Sequence, residues 1–438
     1  MSPADPRTGE PSSSRRRSGD GVWPEPFVEA LAVQVAIDAS KTGGRLSVAP
    51  AVVAVFQVCS SWRAISQSEL LWQSLTRRVW SRERRRLLTW RAEYAHCHRT
   101  GRNFRLRHCV HSTVFIDPTL ACRRLSLSDR HLAAGFLDGS VRLFDLSTAD
   151  LVATYLPHPG RDILGSFSQS ISGVLLDRAS RLVYASQDGD IHVASTLNGA
   201  VHAARRVRVG NAVEDGTLVD FAGCDRWWVG LFAGVPGRSL HVWDGDTEEL
   251  AFVGGSLTDP DAVIGWHMFT DSGGPVGRVR FSDPATIVGC TGSRLQVLSL
   301  DDPEIVLAEH GFRRGAAVEA VDACDGRVMV VNGQGIAKVS VARTLEEVCR
   351  FNTIRRRPAG VQQQAPVGER PVGCMNWGYA VMCGPDGGVR LWDALTGEYL
   401  YTFRERIAGS AGAVASDDRR VAVWCGETGL HLWDFGQL

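Results

Sequence analysis

The sequence predicts a mainly β protein, a seven-bladed β-propeller preceded by a small all-α module. Two observations carry this prediction. Seven segments between residues 131 and 434 repeat one pattern: an apolar strand, a glycine-containing turn and a second strand. Residues 23–80, before these repeats, instead carry apolar side chains at helical spacing. A repeat of roughly 40–50 residues built from paired strands is typical of propeller blades, and not of ankyrin or leucine-rich repeats.

Each repeated segment is predicted to be a β-hairpin. Apolar side chains alternate with polar ones, as at Val141 and Leu143, which is the period of a half-buried strand. Asp-Gly pairs tolerate the positive φ angles that a tight hairpin needs; they occur at Asp138-Gly139, Asp188-Gly189 and Asp386-Gly387. The second strands end at positions 145, 195, 244, 299, 340, 393 and 434, so seven blades are expected.

Four of the hairpins resemble WD repeats. They end in an aromatic residue followed by aspartate: Phe144-Asp145, Trp243-Asp244, Trp392-Asp393 and Trp433-Asp434. The hairpins that end at 195, 299 and 340 lack this pair. The resemblance implies a closed ring of four-stranded blades.

The ring needs a closing strand. Short strands follow most hairpins, at 151–156, 249–255, 346–351 and 398–403, but the chain stops at Leu438 without one for the last blade. An unpaired edge there would be exposed to aberrant pairing. We therefore predict that residues 111–117 pair with the last hairpin, 420–434, and close the propeller.

The segment before the propeller reads as three short helices. Each of them carries a row of apolar side chains on one helical face. The rows are Phe27, Leu31 and Val35; Val52, Val55, Phe56, Cys59 and Trp62; and Leu71, Leu75 and Val79. We expect the middle of this module, residues 39–50, to be looser.

These helices resemble an F-box. Trp23-Pro24-Glu25, then Val58-Cys59 with Trp62, then Leu71-Trp72 with Leu75 follow the order of the F-box motif. The resemblance implies binding of a Skp-type adaptor. The residues that it assigns to the adaptor are Pro24, Phe27, Leu31, Val35, Cys59, Trp62, Leu71 and Trp72. Alternatively, Cys59, Trp62 and Trp72 are only bundle core.

Stretches along nearly the whole chain resemble a plant family of F-box and WD-repeat regulators. They include WPEPFVEALAVQVA, HRTGRNFR, DRWWVGLFAGVPGRSLHVWD and GEYLYTFRER. The resemblance implies the substrate-recognition subunit of a Skp–cullin–F-box ubiquitin ligase, acting in the nucleus during flower and organ development. It also implies recruitment of transcriptional regulators of the PEAPOD type. The alternative is a nuclear transcriptional regulator or scaffold that acts without ligase assembly.

Charge is segregated although the formal net charge is zero. Residues 77–107 hold 11 arginines and 2 glutamates, whereas residues 108–438 hold 30 basic and 39 acidic side chains. The basic segment is predicted to be a helical connector, either an import signal or only structural. We do not expect direct DNA binding. The organisation is thus a disordered tail over 1–21, the F-box-like module over 22–76, the connector over 77–107 and the propeller over 108–438.

Arginines also recur in the segments that link one blade to the next. Such links share one face of a propeller, so these side chains could form a basic surface that binds an acidic or phosphorylated target. The segments contain Arg161; Arg205, Arg206 and Arg208; Arg313 and Arg314; Arg355, Arg356 and Arg357; and Arg404 and Arg406. The predicted substrate-binding residues are Arg161, Arg313, Arg314, Arg404, Arg406 and Trp266. The alternative is ordinary loop polarity.

The sequence points away from catalysis and cofactors. The eleven cysteines include no Cys-x-x-Cys pair, and the cluster of His96, Cys97, His98, His108, Cys109 and His111 lacks the paired spacing of a zinc site. No Walker-type glycine loop and no nucleophile signature is present. No apolar run is long enough to cross a membrane. We expect no metal, no cofactor, no membrane partner and no enzymatic activity.

Overall fold

The computed structural model describes residues 23–114, 120–157, 166–177, 180–196, 204–257, 277–313, 318–353, 371–409 and 411–436. The chain divides into two compact units, Met1–Ala95 and His96–Leu438. The predicted tail over 1–21 lies outside the described residues. Each unit is described by itself below.

The N-terminal region is helical, with four α-helices where three were predicted and a fifth within the predicted helical connector. These are α1 Glu25–Gly43, α2 Val48–Phe56, α3 Ser60–Ile65, α4 Glu69–Trp80 and α5 Trp90–Leu106, with a 3-10 turn at Arg45–Ser47. The expectation of a loose stretch over 39–50 was wrong. Pro50 lies in the first turn of α2, where the backbone N–H groups have no intrahelical partner, so proline does not interrupt the helix.

Helix α1 buries a row of side chains one residue removed from the predicted row. Val28, Ala32 and Ala36 are fully buried against the rest of the helical unit. Phe27 is 47% exposed, while Leu31 and Val35 are half-buried. The predicted face of α1 therefore flanks the buried one and remains accessible.

The propeller has seven four-stranded antiparallel sheets, as predicted. In the first six blades the chain runs from the first to the fourth strand through neighbouring strands. Blades 1 to 3 are β2 Cys122–Leu127, β3 His131–Phe136, β4 Val141–Asp145 and β5 Leu151–Tyr155; β6 Ile171–Leu176, β7 Arg181–Ser186, β8 Ile191–Ser195 and β9 Arg205–Arg208; β10 Thr217–Gly223, β11 Trp227–Ala233, β12 Leu240–Asp244 and β13 Leu250–Gly254.

Blades 4 to 7 follow the same order. They are β14 Arg278–Asp283, β15 Thr286–Cys290, β16 Arg294–Ser299 and β17 Val306–Gly311; β18 Val318–Cys324, β19 Arg327–Asn332, β20 Ile336–Val341 and β21 Glu347–Asn352; β22 Val372–Met375, β23 Tyr379–Cys383, β24 Val389–Asp393 and β25 Tyr399–Thr402; and β26 Ala411–Ser416, β27 Arg420–Cys425 and β28 Gly429–Asp434, to which β1 Val110–Val114 is added.

The first strands of the blades form the inner ring. Each contacts the first strand of the next blade, from β2 to β26, and β26 contacts β2 in turn. Gly173 on β6 permits one of these approaches, because a Cβ atom there would lie 2.2 Å from the backbone oxygen of Phe221 on β10. A side chain at this position would therefore force the two inner strands apart.

The predicted closure is confirmed for residues 111–114, while residues 115–117 lie outside the described residues. Strand β1 pairs antiparallel with β28, with Val110 opposite Asp434 and Val114 opposite Leu430. A chain segment from before the first blade thus supplies the fourth strand of the last one. His111 and His431 meet across this seam, with Nε2 of the first 3.1 Å from Nδ1 of the second.

Residues just before β1 also pack on the propeller unit. The ring of Phe104, at the end of α5, is fully buried and stacks on Phe435 at 3.7 Å between ring centroids and on Tyr379 at 5.2 Å. Asn103 donates a hydrogen bond from Nδ2 to the carbonyl of Phe435, at 2.8 Å. The C-terminal turns of α5 therefore belong to the propeller and hold its closing strand in place.

We predict that two adjacent prolines in β1 open the ring. Successive N–H groups of a strand point to opposite sides, so one proline of the pair Ser112→Pro and Thr113→Pro removes a bond to β28. The free energy of unfolding should fall by roughly 2–4 kcal/mol in chemical denaturation. Ser112→Thr with Thr113→Ser is the control. An unchanged stability in the proline variant would contradict the closure.

Candidate functional site

The helical unit exposes several large apolar side chains. Trp23 and Phe27 stack on each other at 4.7 Å between ring centroids and are 56% and 47% exposed. Val58 and Leu70 are exposed as well, and Cys59, at the start of α3, is exposed beside the half-buried Trp62. Exposed apolar side chains that lie together, as Trp23 and Phe27 do, are typical of an interaction surface. Pro24 caps α1 next to the stacked pair.

Two of the predicted adaptor residues lie in the core instead. Leu71 and Trp72 of α4 are buried, and the Trp72 indole donates a hydrogen bond to the carbonyl of Ser66 at 2.7 Å. Its ring packs against Phe56 and Tyr94. These contacts leave neither side chain available to a partner, so both act by holding the helices together. For Trp72, the bundle-core interpretation is the one that the structure supports.

The basic segment over 77–107 is partly engaged by acidic groups. Within the helical unit, Arg77 lies 3.5 Å from Glu83 and Arg85 lies 3.7 Å from Glu69. Within the propeller unit, Arg105 donates to Asp393 and Glu398, at 3.1 and 3.0 Å. Part of its positive charge thus pairs with carboxylates of the same chain.

The predicted substrate-binding arginines are only partly described. Arg313, which follows β17, and Arg404 and Arg406, which follow β25, are exposed and form no salt bridge with any described residue. Arg161, Arg314 and Trp266 lie outside the described residues, as do Arg355, Arg356 and Arg357. Three free cations therefore remain in the described part of the predicted surface.

The sequence predicted that Arg205, Arg206 and Arg208 lie in a loop that links two blades. This prediction was wrong. They form β9, the fourth strand of the second blade. Arg205 pairs with Glu248 at 2.8 Å and Arg208 with Asp215 at 2.5 Å. Arg206 lies 3.3 Å from Asp190 of the same blade, so the three charges are balanced by carboxylates of this blade, of the link that follows it and of the next blade.

A buried aspartate joins the inner strands of several blades. Asp220 on β10 is fully buried and accepts hydrogen bonds at both carboxylate oxygens. Oδ1 receives Nε of Arg124, on β2, at 3.0 Å. Oδ2 receives a guanidinium N–H of Arg280 at 2.7 Å and the backbone N–H of Val279 at 2.9 Å, both on β14. One side chain thereby connects blades 1, 3 and 4.

The connection continues around the inner ring. Arg124 also donates to the carbonyl of Ser172 in blade 2, at 2.8 Å. Arg280 lies 3.4 Å from Asp322 of blade 5, and Asp322 accepts the backbone N–H of Met375 of blade 6 at 2.7 Å. A chain of polar contacts thus runs through the inner strands of six blades.

Electrostatics separate the two carboxylates of this chain. Burial raises the pKa of Asp220, but the charges of Arg280 and Arg124 outweigh it and hold that pKa below its ordinary value. Burial dominates at Asp322 and raises the pKa of its carboxyl, which has only one close arginine. Asp220 is therefore the fixed negative centre of the inner ring.

No cofactor site emerges from the described residues. Within the described ranges, no group of three His, Cys, Asp or Glu side chains is placed to hold a metal ion. All eleven cysteines are free thiols. None of the described helices is both long and apolar enough to cross a membrane.

The fold and these contacts define a class: a seven-bladed propeller with an N-terminal helical region and a chain of buried polar contacts at its inner ring. The chain is 47% identical over 442 residues to the transcriptional regulator STERILE APETALA of Arabidopsis thaliana, a match that covers 98% of this chain and 95% of that protein. It belongs to the STERILE APETALA family.

No protein-family model matches the chain. Among solved structures, the crystal structure of the computationally designed protein Ika8 is similar with a TM-score of 0.47 and 16% identity, over 72% of this chain and 96% of that one.

We predict that Asp220→Asn destabilises the propeller. The amide leaves Arg124 and Arg280 without their counter-charge, and breaking a buried ion pair costs about 3–5 kcal/mol. Because the folded pKa of Asp220 is lowered, its stabilisation is present at neutral pH and is lost as the pH falls through that pKa. Unfolding by urea at pH 7 and at acid pH should therefore show a difference from the unmodified chain that shrinks on acidification. Asp246→Asn, on an exposed turn, is the control.

Proposed function

We propose that the chain is the substrate-recognition subunit of a Skp–cullin–F-box ubiquitin ligase. The helical unit binds a Skp-type adaptor, and the propeller binds the protein to be ubiquitinated. This proposal rests on one combination of features. The F-box residues follow one another in the order of the motif, and apolar side chains of α1 and α3 are accessible, above all Phe27. A helical unit that needed only its own core would not leave such groups in water.

The substrates that we propose are transcriptional regulators of the PEAPOD type, and the site of action is the nucleus. Kinship with a protein named as a transcriptional regulator supports both. The protein contributes no chemistry to ubiquitin transfer. It accelerates the reaction by holding the target near the transferring enzyme.

The adaptor is tested by co-purification. Phe27→Ser and Leu31→Ser remove apolar area from the accessible side of α1 without touching Val28, Ala32 or Ala36 in its core. We expect each variant to lose at least tenfold in affinity for a Skp-type adaptor, since a buried leucine or phenylalanine contributes about 1.5–3 kcal/mol. Gln34→Ser, on the same helix and exposed, should bind normally. If all three variants bound the adaptor equally well, this side of α1 would not be the adaptor-binding surface.

The target surface is tested separately. Arg313, Arg404 and Arg406 are exposed and form no salt bridge with described residues, so Arg→Gln at all three removes the charge and keeps most of the side chain. We expect capture of acidic targets to fall and its salt dependence to weaken, while adaptor binding stays unchanged. If capture of acidic targets were unaffected, these arginines would only make the loops polar and would not bind the target.

The second candidate is a transcriptional regulator that acts as a scaffold without a ligase. The name of the Arabidopsis relative favours it, because that name mentions transcription and no ligase. The same co-purification distinguishes the two functions. A scaffold would bind the regulators in the absence of adaptor, and Phe27→Ser and Leu31→Ser would bind those regulators as well as the unmodified chain does.

A further inference from the structure

Strand β17 is the most exposed outer strand of the propeller. Five of its six residues are exposed and none is buried. None of the other six outer strands exposes more than half of its residues. A Cβ atom added to Gly311, its last residue, would meet no described atom within 4 Å other than those of its chain neighbours. Within the described part of the chain, both faces of this strand are therefore open.

The open strand is apolar where it begins. Ile305, Val306 and Leu307 follow one another and are 49%, 43% and 37% exposed. Among the described strands β17 pairs with β16 alone, so the N–H and C=O groups of its other edge have no strand partner there. The charge of Glu309, further along, is balanced by Arg294 of β16 at 3.5 Å. An open apolar edge of this kind pairs readily with a strand of another chain.

Charged residues of opposite sign flank the strand. Three residues before it are acidic and one residue after it is basic: Asp301, Asp302 and Glu304, and Arg313. All four are exposed, and none forms a salt bridge with a described residue. Asp301 lies six residues before Leu307, and Arg313 lies six residues after it. Along the chain, the surface is thus acidic, apolar and basic in that order.

This order is complementary to itself. Two copies of one strand pair antiparallel about a two-fold axis, which brings each residue opposite the one at the same distance on the other side of the axis. With the axis at Leu307, Val306 of one copy faces Ala308 of the other, and Asp301 of one lies near Arg313 of the other. A uniformly basic or uniformly acidic partner would complement only one end of the strand. The charges therefore favour a second copy of this chain.

We propose that the chain forms a dimer through β17, which pairs antiparallel with β17 of a second copy and joins the fourth blades of two propellers into one sheet. One pair of strands buries less area than an interface of standard size, so the dissociation constant should be on the order of 10 μM. The contact needs neither an adaptor nor a target, and it does not rest on the ligase proposal.

Sedimentation of the full chain measures the dimer directly. The average mass should rise toward twice that of one chain between about 1 and about 100 μM. Val306→Lys places a charge on the open edge and should raise the dissociation constant by about tenfold or more. Leu250→Lys is the matched control and should dimerise normally, because Leu250 begins the outer strand β13 and is 45% exposed, against 43% for Val306. Both variants should keep the melting temperature of the unmodified chain, since both side chains are exposed.

Charge reversal gives a second, independent test. Arg313→Glu makes both ends of the strand acidic, and Asp301→Arg with Glu304→Arg makes both ends basic, so each variant alone should dimerise more weakly than the unmodified chain. An equimolar mixture of the two variants restores opposite charges at both ends and should dimerise as the unmodified chain does. Asp302 is left unchanged because its carboxylate accepts the backbone N–H of Glu304 at 3.3 Å. A mixture that dimerises no better than its components would overturn the proposed pairing.

Amide hydrogen exchange over residues 305–311 distinguishes the possible occupants of the edge. Protection that rises with the concentration of the chain supports the dimer. Protection that is independent of concentration would assign the edge to another segment of the same chain, and an unprotected edge in a chain that stays monomeric would leave it to a different protein. Either result would overturn the proposal. Arg404→Gln with Arg406→Gln removes charge from the proposed target surface outside β17 and should leave the dimer intact, so the two proposals can fail separately.

Discussion

The carboxylate of Asp220 is the contact on which the propeller's inner ring depends. Blades of a propeller are joined in sequence by single chain crossings, so the cohesion of the ring must come from contacts between neighbouring sheets. Most of these are apolar, but Asp220 adds directed bonds to blades 1 and 4 at once. Because Arg124 and Arg280 are themselves partly buried, this carboxylate stabilises their charges just as they stabilise its charge. The arrangement fixes the relative positions of three inner strands with one side chain.

The seam between the last blade and β1 solves a different problem. A ring of blades must join its ends, and here the joining strand comes from the segment that follows α5. Phe104 and Asn103, a few residues earlier, attach the helix end to Phe435, just beyond β28. The same short stretch therefore both supplies a strand and anchors it, and its arginines, such as Arg105, meet carboxylates of blade 6. Part of the basic segment predicted from the sequence is in this way part of the propeller.

Local patterns predicted the fold well, whereas long-range partners could not be predicted. The hairpins at Asp138-Gly139 and Asp386-Gly387 could be predicted from their turn residues. The closing strand could be predicted because the last blade lacked a fourth strand. Asp220 gave no signal, because its partner Arg280 lies 60 residues away and nothing in either segment links them. The face of α1 was displaced by one residue since Ala32 and Ala36, small and inconspicuous in a sequence, allow the closest packing. For the candidate surfaces, the motif found α1 and α3 but could not separate exposed Cys59 from buried Trp72.

Closure by β1 also sets an order of events during synthesis. His111 and His431, which meet at the seam, are 320 residues apart in the chain. Bringing such distant segments together costs on the order of 5 kcal/mol of chain entropy, which the surrounding blades must first offset. On the ribosome, β1 emerges among the earliest strands and yet pairs last, after β28 has been made. The propeller therefore becomes complete only when β28 has been translated, and a chain truncated before β28 would carry both an unpaired β1 and an unfinished seventh blade.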